Sequence, residues 1–249
     1  MEIKFTSEIT VEEIQHVGSD AVVVAAARVS TKGWDSVPDG ESYGLIRYLM
    51  KHRHGSVFEH GSLTVRVHAP IFVWREWHRH RIGFAYSDYG LDADMWQSFN
   101  EESGRYRQLE PVFYLPPRDR PMMKVDDWKP GRPKFLHCES DNVFKAVCRN
   151  LRSVYGIAYD LYCDNLSLGI DPGLARGCLP VGIYSSCYVT CNPRSAMAFL
   201  SLRTHEPTAR DVSYPLYEIE AAARKLEAIF ASCWPLTYKA WDECGRVAP

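Results

Sequence analysis

The sequence predicts an α/β protein, a single domain over residues 1–249 in which a mixed sheet is flanked by helices. Two kinds of periodicity occur in one chain: strict alternation, as in Leu63-Thr-Val-Arg-Val67, and 3.6-residue spacing, as in Leu45, Ile46, Leu49 and Met50. The segments interleave without the βαβ rhythm of a doubly wound sheet. With 249 residues, 46% of them hydrophobic and 24% charged, the chain is long and apolar enough to close a full core.

In chain order, residues 2–10 and the run AVVVAAA at 21–27 read as strands, the second buried on both faces. Residues 42–52 have helical spacing. Ser56-Val-Phe-Glu59 fits a capping box. Leu63–Val67 reads as a half-buried strand, and Pro70 opens a helical stretch, PIFVWREWHRH, from a tolerated first-turn position. Residues 111–140 hold six prolines and read as a long loop or lid. Residues 142–165 form the clearest helix, striped by Phe144, Val147, Leu151, Tyr155, Ala158 and Tyr162. Asp171-Pro172 starts a short helix. Residues 181–191 suggest a strand. Asn192-Pro193 reads as N-cap plus first turn of a helix to about Arg203, and a last amphipathic helix covers 214–231.

The net charge of −2 excludes general nucleic-acid binding by field alone, so any phosphate must be held by local clusters. No run approaches a membrane span, and the N-terminus lacks a signal-peptide layout, so a cytoplasmic protein with no membrane or nucleic-acid partner is expected. The eight cysteines form no CxxC pair and read as reduced, mostly buried thiols.

Five basic or polar constellations carry candidate chemistry. Arg79-His80-Arg81 places three cation-capable groups in a row, and Ser103-Gly104-Arg105 follows in the same region. A hydroxyl, a glycine that admits close backbone approach and a guanidinium fork suit a phosphate monoester. The others are Ala26-Ala-Arg-Val-Ser30, Lys51–His60, Leu174-Ala-Arg176 before Leu179-Pro180, and Asn192–Arg203. The histidines of the second run, His52, His54 and His60, with Glu59, invite a metal-dependent hydrolase reading. No complete ligand pattern supports it, and no metal is expected. A nucleophile with a spaced base, a P-loop and a GxGxxG are all missing from the sequence.

Together these segments resemble the flavin-dependent thymidylate synthase family, whose signature is RHRxxSxxxxSxR. Arg79–Gly83 supply its first five places, and Ser98, Ser103 and Arg105 supply the rest with Asn100-Glu101 between them. Residues 84–97 are fourteen extra positions splitting the motif. The flanking AARVS (26–30), YLMKHxH (48–54), FEH (58–60), API (69–71), ARxxLP (175–180) and Asn192–Arg203 segments follow in the family's order. The resemblance implies the family's fold and a homotetramer with active sites shared between subunits. It implies methylene transfer from methylenetetrahydrofolate to C5 of dUMP and reduction to methyl through FAD, with NADPH as reductant. By position, Ser30, His54, Ser56, Glu59, Arg79, His80, Arg81, Asn100, Asn192 and Arg194 would contact FAD. Glu76, Arg79, Glu101, Glu102, Ser103, Gly104, Arg105, Arg176 and Arg203 would hold the nucleotide. Arg203 matches the residue that stabilises the ionised pyrimidine.

Three departures bear on substrate, besides the insertion with Phe84, Tyr86, Tyr89 and Trp96. Glu76 stands where the family usually has Gln, Ala198 where it has a flavin-contacting Asn, and the segment after Arg203 is longer than usual. In these the chain resembles divergent members that methylate UMP in nucleoside-antibiotic pathways, such as the UMP/dUMP methylase of polyoxin biosynthesis. Two readings stay open: a wider scope that takes UMP as well as dUMP, or a strict dUMP methylase carrying a surface loop. A non-catalytic flavin- or nucleotide-binding module is the alternative from another class.

Overall fold

A computed structural model describes residues 2–32, 42–81, 98–126, 129 and 131–249, with the side chains of Ser30, Lys32 and Ser42 outside that description. The split-motif insertion 84–97 lies outside the described residues. The architecture is mixed α/β, as expected. The chain divides into two compact units, one formed by residues 1–9, 68–76 and 101–187, the other by 10–67, 77–100 and 188–249.

A four-stranded sheet orders the strands β2–β3–β8–β4. They are β2 (Thr10–Val17), β3 (Ser62–Pro70), β4 (Ser98–Glu101) and β8 (Tyr184–Cys191). In β3 the alternation predicted from sequence is real: Leu63, Val65, Val67 and Ala69 are buried. Cys187 and Cys191 are buried on β8.

In the first unit, β1 (Lys4–Thr6) pairs in parallel with β5 (Val112–Tyr114). Residues 111–140 are thus not a plain loop, since they also hold β6 (Pro121–Lys124) and β7 (Phe135–His137), an antiparallel pair. Prolines masked these strands, because short paired edges tolerate Pro that a central strand would not. The core gathers Leu109, Phe113, Leu115, Ile183 and three tyrosines of α4 (Asp141–Ser167). Helix α4 starts where Ser140 accepts from the Val143 N–H. Tyr155 stacks on Phe113 at 4.8 Å, and Tyr159 Oη donates to the Leu109 carbonyl at 3.0 Å. Leu109 N–H donates to Tyr162 Oη at 3.1 Å. One face of α4 therefore pins the chain just after Ser103–Arg105. Its other face exposes Val154, Ile157 and Leu161.

In the second unit, AVVVAAA is helical, not a strand: α1 spans Asp20–Lys32. An unbroken apolar run has no period to read, and the buried positions Asp20, Val23, Val24 and Arg28 emerge at helical spacing only on folding. The Asp20 carboxylate accepts from Leu236 N–H, Thr237 N–H and Thr237 Oγ1 at 2.7–2.9 Å. It thereby caps the first turn of α8 (Pro235–Glu243), a helix the sequence reading did not foresee. Helix α2 (Ser42–Lys51) is as expected. Helix α3 (Ile71–Trp77) is shorter than foreseen: Pro70 closes β3 at one end, and at the other the chain turns after Trp77, where His80 N–H donates to Trp77 O at 3.0 Å. Ser56–Glu59 is a 3-10 turn with no side-chain cap bond, so the capping-box reading fails there. Helices α6 (Pro193–Arg203) and α7 (Tyr217–Cys233) follow, with Asn192 Oδ1 accepting from Ser195 N–H at 2.8 Å as the sequence predicts.

Candidate active site

The phosphate-type groups of the first unit sit on a turn that leaves β4. Glu102 N–H donates to Ser186 O at 2.8 Å, and its carboxylate accepts from Arg107. Arg107, which sequence reading passed over, thus occupies Glu102. Ser103 Oγ accepts from Arg105 Nε at 3.2 Å. This leaves the hydroxyl proton free to donate outward. Arg105 lies over the exposed ring of Tyr106 at 5.1 Å.

Gly104 is buried. A Cβ there would lie 3.0 Å from Leu109 Cγ and 3.3 Å from Arg176 Cδ. Likewise a Cβ on Gly173 would lie 3.6 Å from Arg105 Cγ. The two glycines let the Ser103–Arg105 turn settle on the turn that carries Arg176 at the end of α5 (Pro172–Ala175), itself capped by Asp171. So one hydroxyl and two guanidinium stems predicted from separate sequence segments do come together. Gly104→Ala is expected to raise KM for the nucleotide roughly tenfold or more, the scale of a ~1–3 kcal/mol overpacking cost, with kcat nearly unchanged; steady-state kinetics check this. Glu76, half-buried on α3, and Glu101, exposed on β4, belong to the same unit.

The second unit holds the other predicted residues. Asn192 is buried and spends its side-chain oxygen on the α6 cap, so only its amide N–H groups remain for a ligand. Arg194 donates to Glu59 Oε1 at 2.5 Å and to the Pro249 carbonyl at 2.7 Å. Gly55 makes room for that guanidinium, since a Cβ there would meet Arg194 Cζ at 2.5 Å. His54, Ser56, Arg79, Arg81 and Asn100 are exposed. Ser30 lies on α1, its side chain outside the described set.

His80 is 8% exposed, and its Nε2 has no hydrogen-bond partner among the described residues. Its ring stands edge-on to Phe199 at 4.9 Å. Burial first, and the positive charge of Arg203 second, lower its pKa from 6.5 to about 4. The imidazole is therefore neutral at physiological pH. As pH falls from 6.5 toward 4, the unfolded chain takes up a proton that the folded chain refuses, so stability falls. The full loss is about 3 kcal/mol. Thermal melts between pH 7 and 4.5 are expected to show this limb, and His80→Gln is expected to flatten it.

The histidine run does not assemble a metal ligand set among the described residues. His52 and His54 lie against Tyr48 at 4.4 and 6.2 Å, and Glu59 is engaged by Arg194. The ligand-type atoms that do converge, within 4.8 Å, are those of Glu13, His16 and Cys233. Burial and the Glu13 carboxylate push the Cys233 thiol up to about 11, which keeps it protonated at neutral pH.

Ala198, where the sequence loses a polar flavin contact, is buried on α6. A flavin dinucleotide presents phosphoryl oxygens and ring heteroatoms to a protein. Exposed Arg81 and Ser56, the remaining amide protons of Asn192 and the unpartnered His80 Nε2 suit phosphoryl oxygens and ring heteroatoms. These residues fit the group.

Residues 13–236 match the family model described as thymidylate synthase complementing protein. A flavin-dependent thymidylate synthase of Streptomyces avermitilis is 45% identical over 251 residues, 98% of this chain and 95% of that protein. One from Tropheryma whipplei is 43% identical over 253 residues, 100% of this chain and 98% of that protein. Among solved structures, the UMP/dUMP methylase PolB from Streptomyces cacaoi, bound with 5-Br UMP, superposes with a TM-score of 0.87 at 43% identity, covering 100% of both chains. The same enzyme bound with 5-Br dUMP gives 0.86. Described elements, motif order and full-length identity converge, and the chain belongs to the family of flavin-dependent thymidylate synthases.

Proposed function

We propose that this enzyme methylates C5 of uracil nucleotides, taking both dUMP and UMP, with methylenetetrahydrofolate as carbon donor and NADPH as reductant. The observation that carries it is the Ser103-Gly104-Arg105 turn seated beside Arg176, a ready grip for a phosphate monoester. The flavin, FAD, supplies the reducing hydride when bound. His54, Ser56, Glu59, Arg79, His80, Arg81, Asn100, Asn192 and Arg194 would hold it, with Ser30. Ser103, Arg105 and Arg176 bind the phosphate, and Gly104 keeps the turn low enough to do so. Glu101 and Glu102 frame the grip, Glu102 through its bond to Ser186. Arg203 sets positive charge against the uracil edge, which favours the electron-rich ring that C5 attack requires.

Glu76 is the candidate for ribose reading. An ionised carboxylate only accepts, so a 2′-hydroxyl is a natural donor to it. A homotetramer is supported by the exposed apolar stripe Val154, Ile157 and Leu161 on α4, a surface that favours burial against another copy. No helix among the described residues is long and apolar enough to cross a membrane.

The test gives purified enzyme equal dUMP and UMP with FAD, NADPH and methylenetetrahydrofolate, and quantifies both 5-methyl products by mass spectrometry. Comparable rates are expected for the two, with Glu76→Gln shifting the ratio toward dUMP about tenfold, a polar-contact effect of ~1.4 kcal/mol. Product from dUMP alone would reduce the reading to a strict thymidylate synthase. No product from a flavin-loaded protein would leave a binding module.

A further inference from the structure

A concave site of about 300 Å³ lies in the second unit, where α2 ends near the end of α8. Arg47, Lys51, Arg53 and Arg210 line it against one carboxylate, Glu243. None of these belongs to the candidate active site. Glu243 is already engaged: it accepts from Tyr43 Oη at 2.6 Å and from Arg47 Nε at 3.3 Å. Arg210 is paired with its neighbour Asp211. The side chains of Lys51 and Arg53 make no hydrogen bond or ion pair among the described residues. Among the described residues, positive charge in this hollow therefore exceeds negative charge.

Two non-glycine residues among the described residues hold a positive φ, Arg53 at 60° and Arg246 at 57°. Arg246 is ion-paired with Glu227 and Asp242, whereas the Arg53 side chain is not paired among the described residues. Arg53 N–H donates to Met50 O at 3.1 Å, and His54 N–H donates to Leu49 O at 2.9 Å. This is the Schellman ending of α2, with Arg53 in the left-handed position at φ 60°. Glycine is the usual occupant there, because a Cβ is strained in that conformation. The same pair of bonds ends α8, where Arg246 N–H reaches Trp241 O and Gly245 N–H reaches Asp242 O. That ending does use glycine, Gly245 at φ 81°. Beside one hollow, then, two like turns differ: one keeps glycine and the other carries a cation at a conformational cost.

We propose that this hollow binds a small polyphosphate anion. Guanidinium forks match phosphoryl oxygens, and several cations facing one neutralised carboxylate suit a ligand with more than one negative group. The volume is at the lower bound of ordinary ligand sites, about 300 Å³, enough for a diphosphate with part of its sugar outside. The diphosphate of a dinucleotide and a free nucleoside triphosphate share this chemistry.

The experiment is calorimetric titration of inorganic pyrophosphate into the full flavin-loaded chain at low salt, with excess UMP occupying the candidate nucleotide groups. One saturable site per chain is expected. Lys51→Ala is expected to weaken it roughly tenfold, the scale of one charge-assisted hydrogen bond. Arg53→Gly is expected to weaken it similarly while raising Tm by about 2–4 °C, since the strain is relieved. That opposition of affinity and stability separates a binding role from damage to the fold. Displacement of pyrophosphate by NADP⁺ alone assigns a dinucleotide, and by ATP alone a triphosphate. Absence of a saturable site, an affinity in both variants unchanged from the parent chain, or displacement by neither nucleotide means an adventitious ion only, and overturns the proposal. Binding is read without turnover, so the result stands apart from the methylation assay.

Discussion

Replacing Arg203 with Ala is expected to lower turnover on dUMP and UMP by about 10²–10³-fold, the scale of removing one preorganised charge donor. The reason lies in how the guanidinium is delivered. Helix α6 is buried from Pro193 to Leu200, apart from half-exposed Arg194, so its axis is fixed by packing. Arg203 is its last residue, where the helix dipole favours a cation. Half-buried, it acts where water screens less than at the surface, and its field already helps to keep His80 neutral. A charge held in this way costs no reorganisation when negative charge develops on the pyrimidine. Arg203→Lys is expected to recover part of the rate, because a point charge survives without the planar fork. Separate kcat and KM values and flavin absorbance make the test. A variant within threefold of the parent rate, with flavin bound, would remove Arg203 from the chemistry.

How much of this was readable beforehand depends on whether the deciding contact is local. The Asn192 cap and the Ser140-capped α4 lie within three residues of their partners, and the sequence pattern locates both helices. The strand β3 announces itself by alternation. By contrast, α8 starts under Asp20, a partner 216 residues away, and nothing local marks that link. The AVVVAAA run is equally apolar on all sides, so only its packing decides between helix and strand. In the site, Ser103, Gly104 and Arg105 are adjacent and legible as a unit. That Arg176 joins them depends on two glycines accepting side chains, visible only in the fold. Lys51 and Arg53 were seen in the sequence, but within a histidine-rich run. The left-handed conformation of Arg53 is a backbone property that no composition reveals.

The largest stability effect is expected from Arg246→Met. Arg246 is 5% exposed and lies over Trp241 at 4.3 Å. It donates to Glu227, to Asp242 at 2.8 Å and to Thr204 Oγ1 at 3.2 Å. Glu227 also accepts from Arg224 at 2.9 Å and from Tyr238 Oη at 3.1 Å. Arg224 in turn reaches the His205 carbonyl, and Glu220 accepts from His205 N–H at 2.9 Å. This buried network grips Thr204 and His205, the two residues after Arg203. Removing Arg246 strips the buried Glu227 of its most enclosed partner, a cost of about 3–5 kcal/mol. The corresponding fall in Tm is roughly 10 °C or more. Replacing Glu227 by Gln in the same chain is expected to return part of the loss, since no uncompensated charge then remains. Because the network holds the end of α6, the single variant is also expected to lose turnover at temperatures where it is still folded. If melting shows a loss below 1 kcal/mol, the ion pair is not structural. If stability falls but kcat at low temperature is untouched, Arg203 holds its place without the network.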